Sequence, residues 1–147
     1  MIGFNNLGRL GRIGNQMFQY AALRGIAANT GVEYCFPFYQ DAVNDGTGVM
    51  LRTELFDCFT METTSVLNIQ SIDVGRPTMF EGNFHYNEEL HKRCPDWTSI
   101  WGFFQSEKYF LNVEQEIRRN FTFKDEIREP CEEMIDGLGV DEVVGLH

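Results

Sequence analysis

Positive charge is what this sequence has least of. Twelve Lys and Arg stand against 22 Asp and Glu, a formal net charge of −10, and the basic residues gather no further than the doublets Lys92-Arg93 and Arg118-Arg119. A nucleic-acid surface needs clustered cations, so no nucleic-acid partner is expected. No stretch approaches 18 apolar residues, so no transmembrane segment is expected. Met1-Ile2-Gly3-Phe4-Asn5-Asn6 lacks the basic-then-apolar order of an export signal. Only four cysteines occur, Cys35, Cys58, Cys94 and Cys131, with no CxxC pair and no Cys/His cluster. That argues against a structural zinc site, and no metal is expected. A chain this long and apolar needs no staples, so free, mostly buried thiols in a reducing, cytoplasmic setting are the expectation.

What remains is the composition of a soluble globular domain: 147 residues, 43% hydrophobic and 23% charged, with thirteen Phe, five Tyr and two Trp to fill a core. Met1 to Phe4 reads as a short buried strand. Glycines recur from Gly8 to Gly14, and Asn15 to Asn29 follows as a helix apolar nearly all round, hence buried. Asn29-Thr30-Gly31 stops it, and Val32 to Phe38 reads as a second strand. The opening is therefore a βαβ unit. Further on, 41–48 reads as a loop and Met50 to Phe59 as a short helix, while 60–75 has no clear pattern. Strands are expected at Pro77–Glu81 and Ile100–Phe104, and a helical turn at Asn87–Lys92. Ser106 is placed to cap a helix through Phe110, and Asn112 to cap another from Val113 to Asn120. Lys124 to Gly137 reads as a last helix containing Pro130, and Val143 to His147 as an emerging strand. Strands alternating with helices give an α/β domain with a mainly parallel sheet. Asn120-Phe121-Thr122 matches a glycosylation sequon, which without an export signal is a chance match.

Two features carry chemistry. Gly8, Gly11 and Gly14 recur every third residue ahead of the helix, and glycines let a backbone come close to a ligand. A helix starting behind them turns its free N–H groups and positive dipole end toward that approach. This is not the GxGxxG dinucleotide fingerprint, and a tight structural loop explains the spacing equally well. Asn15, Gln16 and Gln19 then interrupt an otherwise apolar helix, Asn15 and Gln19 sharing a face. Buried amides need partners, which either a polar ligand or loop backbone supplies.

Gly11-Arg12-Ile13-Gly14-Asn15-Gln16-Met17-Phe18-Gln19-Tyr20-Ala21 closely resembles the opening motif of glycosyltransferase family 11, the α-1,2-fucosyltransferases. Gly102-Phe103-Phe104-Gln105-Ser106-Glu107-Lys108-Tyr109-Phe110 is also similar to that family. Val144-Gly145-Leu146-His147 matches the approach to a later His-x-Arg-Arg-x-Asp motif, of which only the histidine is present. The resemblance implies the N-terminal Rossmann-like domain of a two-domain GT-B glycosyltransferase, spanning residues 1–140, with 141–147 starting the first strand of a donor-binding domain. It implies transfer of L-fucose from GDP-fucose to the 2-hydroxyl of a galactoside, with inversion, no metal and no other cofactor. The partners are then a nucleotide-sugar donor and a galactose-containing glycan, and a glycolipid acceptor would bring the enzyme peripherally to a membrane.

The same resemblance implies site residues. Asn15 matches the loop amide near the transferred sugar. Arg12, Gly14, Asn15, Gln16 and His147 are candidates for the donor side of the cleft, with Arg9 competing with Arg12 as the local cation. His85, set among Asn83, Phe84, Tyr86 and Asn87, and Gln105 are candidates for the acceptor. Glu107 and Asn15 are candidate catalytic residues, since inversion needs a base for the acceptor hydroxyl; a first-turn glutamate favoured by the helix dipole is the plain alternative for Glu107. His91 reads as an ordinary helix-surface residue. The absent Arg-Arg-x-Asp implies that the chain alone is inactive. A carbohydrate- or nucleotide-binding remnant of the scaffold, or a transferase with another donor, are the competing functions.

Overall fold

The computed structural model describes residues 1–61, 69–139 and 144. The expected boundary at 140/141, the expected strand at 143–147 and His147 itself fall, Val144 apart, outside the described residues.

The domain is α/β. Four short strands, β1 (Ile2–Gly3), β2 (Tyr34–Cys35), a third at Thr78–Phe80 and a fourth at Thr98–Trp101, form one sheet in which every pairing is parallel. The order places β1 in the middle: Ile2 faces Tyr34 on one side and Thr98 on the other. A parallel sheet built this way around a crossover helix is the Rossmann-like arrangement. Between β2 and the third sheet strand, the chain inserts an antiparallel hairpin, β3 (Val43–Asn44) with β4 (Met50–Leu51). The sheet strands at Thr78–Phe80 and Thr98–Trp101 are thus β5 and β6.

Helix α1 (Ile13–Thr30) connects β1 to β2 and is the largest piece of the core. Its Tyr20, Leu23 and Ile26 are buried with Ile2, Phe4, Phe36 and Ile100 of the sheet region. Tyr20 meets Tyr34 and Phe36 edge-on. The helix ends as its sequence says, on Gly31 in the left-handed region at φ 71° with its N–H returned to Ala27. On its outer side the segment after β6 presses so close that a Cβ on Gly25 would lie 1.9 Å from the carbonyl oxygen of Tyr109.

Several expected boundaries move. The loop at 41–48 is mostly hairpin: Asn44 and Asp45 side chains accept hydrogen bonds from Gly46, Thr47, Gly48 and Val49 and close its turn. Met50 and Leu51 therefore pair as a strand, and the helix expected over 50–59 shrinks to α2 (Leu55–Cys58). Strand β6 stops at Trp101, short of Phe104, because Phe104 turns left-handed at φ 55°. Ser106 makes no cap, and Glu107–Tyr109 forms only a 3₁₀ turn. Asn112 caps nothing either: it sits inside a second 3₁₀ turn, Leu111–Val113, and its amide donates to the Gly25 carbonyl at 2.9 Å. Helices α3 (Glu88–Arg93), α4 (Glu114–Asn120) and α5 (Asp125–Asp136) fall where expected, α3 capped by Asn87 onto the N–H of Leu90. Asn120 of the sequon is buried, and its amide donates to the Tyr20 hydroxyl. No residue of α5 is buried, although Pro130 is accommodated within it.

Candidate functional site

The loop leaving β1 and the loop leaving β6 emerge side by side, because their strands are neighbours in register. Sites in open α/β sheets lie in this position, beyond the carboxyl ends of adjacent strands. The first loop is shaped by its glycines. Gly11 has φ 81°, and a Cβ there would meet the Asn15 side chain at 2.3 Å, so only glycine lets that amide fold back over the loop. Gly14 is different: nothing lies within 4 Å of where its Cβ would be, leaving open space at the start of α1.

The three amides of α1 divide into two layers. Gln16 is 0% exposed. Its Nε2 donates to the carbonyls of Arg52 at 2.8 Å and Gly11 at 3.3 Å, and its Oε1 accepts from the Glu54 N–H at 2.8 Å. Gln19 is equally buried and donates to Leu10 at 2.8 Å and to Gly102 at 3.3 Å, tying the two loops together from beneath. Loop backbone thus supplies the partners of Gln16 and of the Gln19 Nε2, while the buried Gln19 Oε1 has no hydrogen-bond partner among the described residues. Above them, Asn15 Oδ1 accepts from Gln105 Nε2 at 2.8 Å. Asn15 is half-buried and Gln105 exposed, so this pair is what the site presents outward. The motifs around Gly11–Ala21 and Gly102–Phe110 are brought together through it.

The cations sort themselves. Arg9 gives its guanidinium to the carbonyls of Asp41 at 2.7 Å and Leu51 at 3.1 Å and lies 4.2 Å above the Tyr39 ring, holding the base of the β3–β4 hairpin. Arg12 is exposed and has no ion pair among the described residues. It lies within electrostatic reach of Asp45, whose carboxyl is held below the usual range first by the Thr47 hydroxyl and backbone, and last by Arg12. Glu107 is exposed, opens the 3₁₀ turn and touches neither Asn15 nor Gln105 through a hydrogen bond. His85 is exposed, its N–H bound to Asn83 Oδ1 at 3.0 Å. Its neighbour Phe84, 70% exposed, stacks on Phe103 of the second loop with centroids 5.8 Å apart. That stack joins the His85 segment to the loop carrying Gln105.

Two residues have roles that the sequence reading did not assign. His91 is not a surface residue: it is 8% exposed and its Nδ1 lies 2.6 Å from the Tyr86 hydroxyl. Burial, and then the charge of Lys92, pulls its imidazole below the ordinary value. Glu81, at the end of β5, is 6% exposed, and its Oε2 accepts the N–H groups of Phe103 at 3.1 Å and Phe104 at 2.9 Å. Tyr109 beside it is pushed up to about 12, chiefly by burial. The signal available in the sequence was weak in both cases. His91 lies one helical turn past the Asn87 cap, and Glu81 is an acid closing a strand before a glycine.

A groove of about 490 Å³ starts at Gly14 and runs between α1 and α4, lined by Met17, Phe18, Ala21, Phe110, Ile117 and Phe121. Its polar lip, Glu114 and Arg118, is an ion pair closed on itself at 2.8 Å. Such walls offer a sugar or phosphate little to bind, so the candidate site is the loop pair rather than this groove. Among the described residues no cluster of three potential metal ligands occurs and no helix is long and apolar enough to cross a membrane.

No family model and no solved structure matches the chain. Galactoside alpha-(1,2)-fucosyltransferase 2 of Mus musculus is 25% identical to it over 154 residues, an alignment covering 99% of this chain. The chain spans about 40% of the length of that curated relative. It is a distant relative of a fucosyltransferase, over a span that includes both loops of the candidate site.

Proposed function

We propose that this chain is the N-terminal, sugar-facing part of a GT-B α-1,2-fucosyltransferase that moves L-fucose from GDP-fucose to the 2-hydroxyl of a galactoside, with inversion and without a metal. The observation that carries the reading is the Asn15–Gln105 pair. The two segments that resemble the family meet in one outward-facing hydrogen bond, beyond the ends of adjacent parallel strands. Paired amides suit sugar hydroxyls, since each offers both donors and an acceptor. In this reading Asn15 orients the transferred fucose, while Gln105, with His85 on the Phe84–Phe103 stack, meets the acceptor galactose. Arg12 and the open first turn at Gly14 face the donor phosphates, with His147 on the donor side. Gln16 supports the loop from below. Glu107 is the candidate base for the acceptor hydroxyl: its carboxylate is solvated and two residues from Gln105.

The test is fucose transfer from GDP-fucose to lactose, measured on the 147-residue chain and on the polypeptide encoded with whatever sequence follows His147. Transfer is expected from the extended form and not from the chain alone. Asn15→Ala in the extended form is expected to slow transfer by about 10- to 100-fold, the usual cost of losing one positioned hydrogen-bonding group. An unchanged rate would remove Asn15 from the proposed role. A second reading, a carbohydrate- or nucleotide-binding module, draws on the scarcity of cations at the site. Calorimetric binding of GDP-fucose or lactose with no turnover by any extended form would favour it.

A further inference from the structure

Gln105 follows directly on a strained residue. Phe104 sits at φ 55°, a region that costs a bulky side chain of its stability and persists only where the surroundings impose it. Three contacts impose it. The Phe104 ring is buried edge-on against Phe4 and Tyr109. The N–H of Ser106 closes back on the Phe104 carbonyl at 2.7 Å. Glu81 receives the two successive N–H groups of Phe103 and Phe104 on one carboxylate oxygen. Successive N–H groups converging on an anion form a nest, a backbone shape that alternates right- and left-handed residues. Gly102 belongs to the same device: a Cβ there would stand 2.6 Å from Glu81 Cβ and 2.8 Å from its Oε2. No lysine or arginine is ion-paired with Glu81 among the described residues; the two backbone N–H groups, with the Tyr109 hydroxyl beside them, are the polar partners of this buried acid.

We propose that Glu81 is the positioning residue of the site: its carboxylate holds the 102–104 turn with Phe104 left-handed and thereby aims Gln105 at Asn15. It touches neither amide and acts only through the backbone of the second loop. The inference rests on reading Asn15 and Gln105 as ligand-facing, but its test reads loop geometry and is independent of fucose transfer.

The experiment is ¹⁵N NMR of the 147-residue chain and two variants, following the side-chain amides of Gln105, Asn15 and Asn120 and the exchange of the Phe103 and Phe104 N–H groups. In Glu81→Ala the Gln105 and Asn15 signals are expected to move to free, solvent-exposed positions, while Asn120, bound to Tyr20 in the core, stays in place. Glu81→Gln keeps one carbonyl oxygen as acceptor. It is expected to retain the Gln105 signal near its original position, with Phe103 and Phe104 exchanging about tenfold faster, the difference between a charge-assisted and a neutral acceptor. A merely structural Glu81 would lower stability without moving Gln105, so unmoved Gln105 signals in Glu81→Ala with Asn120 intact overturn the proposal. Should Glu81→Ala lose the Asn120 signal too, Glu81→Gln decides: unaltered exchange at Phe103 and Phe104, or complete release of Gln105, overturns it. If the NMR outcome is as expected and Asn15→Ala still transfers fucose normally, the positioning stands and the catalytic reading falls.

Discussion

Asn15 Oδ1 and the Nε2 of Gln105, 90 residues apart in the chain, are joined by a hydrogen bond of 2.8 Å. Being largely solvated, this bond contributes little to stability, and its value lies in fixing two side chains relative to each other. A double-mutant cycle with Asn15→Ala and Gln105→Ala, read by urea unfolding, is expected to show a coupling of about 0.5–1 kcal/mol. Coupling near zero would mean that the two amides are independent in solution.

Among the described glycines, Gly25 leaves the least room for a side chain. An alanine there places its methyl carbon against the Tyr109 carbonyl and pushes Asn112 off the Gly25 oxygen. Gly25→Ala gains helix propensity yet is expected to destabilise the fold by about 3 kcal/mol through overpacking. Urea denaturation measures this, and a neutral or stabilised variant would contradict the packing described.

His91 should make stability depend on pH. The unfolded chain takes up a proton on this side chain near pH 6.5, whereas the buried imidazole resists it until a lower pH. Below about pH 6.5 the unfolded state therefore binds more protons, and stability falls as the pH drops toward the folded value. Above that point the contribution is complete. His91→Asn keeps an amide to meet the Tyr86 hydroxyl but cannot titrate. Compared at pH 7.5 and pH 5.8, the wild type is expected to lose more stability than the variant, and parallel losses would rule His91 out as the source.

The thiols should report burial. Burial pushes Cys35 and Cys94 up to about 11 and raises Cys58 more modestly, whereas Cys131 is exposed on α5. Iodoacetamide at pH 8 is expected to modify Cys131 first and to spare Cys35 and Cys94 until the protein is unfolded in urea. Peptide mass mapping gives the order. Early labelling of Cys35 would mean that the β2 edge opens readily.

The α/β class, the opening βαβ unit and the stop of α1 at Gly31 were legible because each rests on local pattern: apolar composition, then a glycine in a left-handed cap. The meaning of the amides was not. Gln16 and Gln19 look like Asn15 in the sequence, and only the positions of the Arg52, Leu10 and Gly102 carbonyls show that the Nε2 donors of these two go to loop backbone. Glu81 was invisible for the same reason, since its partners are N–H groups more than twenty residues further on. Strand β6 lies two to three residues earlier than the expected Ile100–Phe104, because Thr98 and Ser99 do not read as apolar and the run through Phe104 carries no mark of the left-handed residue beyond the strand end. The hairpin at 43–51 is not legible in the sequence, because strands of two residues leave no alternating pattern to read.

The central place of β1 has a consequence for how the protein is made. Its pairing with β2 is available as soon as the first βαβ unit has left the ribosome. Its pairing with β6 must wait until about two-thirds of the chain has been synthesised. Closing that second, long-range edge is slow by its topology, and until it closes one edge of β1 stands open and the loop bearing Gln105 has nothing to lie against. Birth of the site and closure of the sheet are therefore one event: a nascent chain shows the two amides to each other only once its exposed edge has gone.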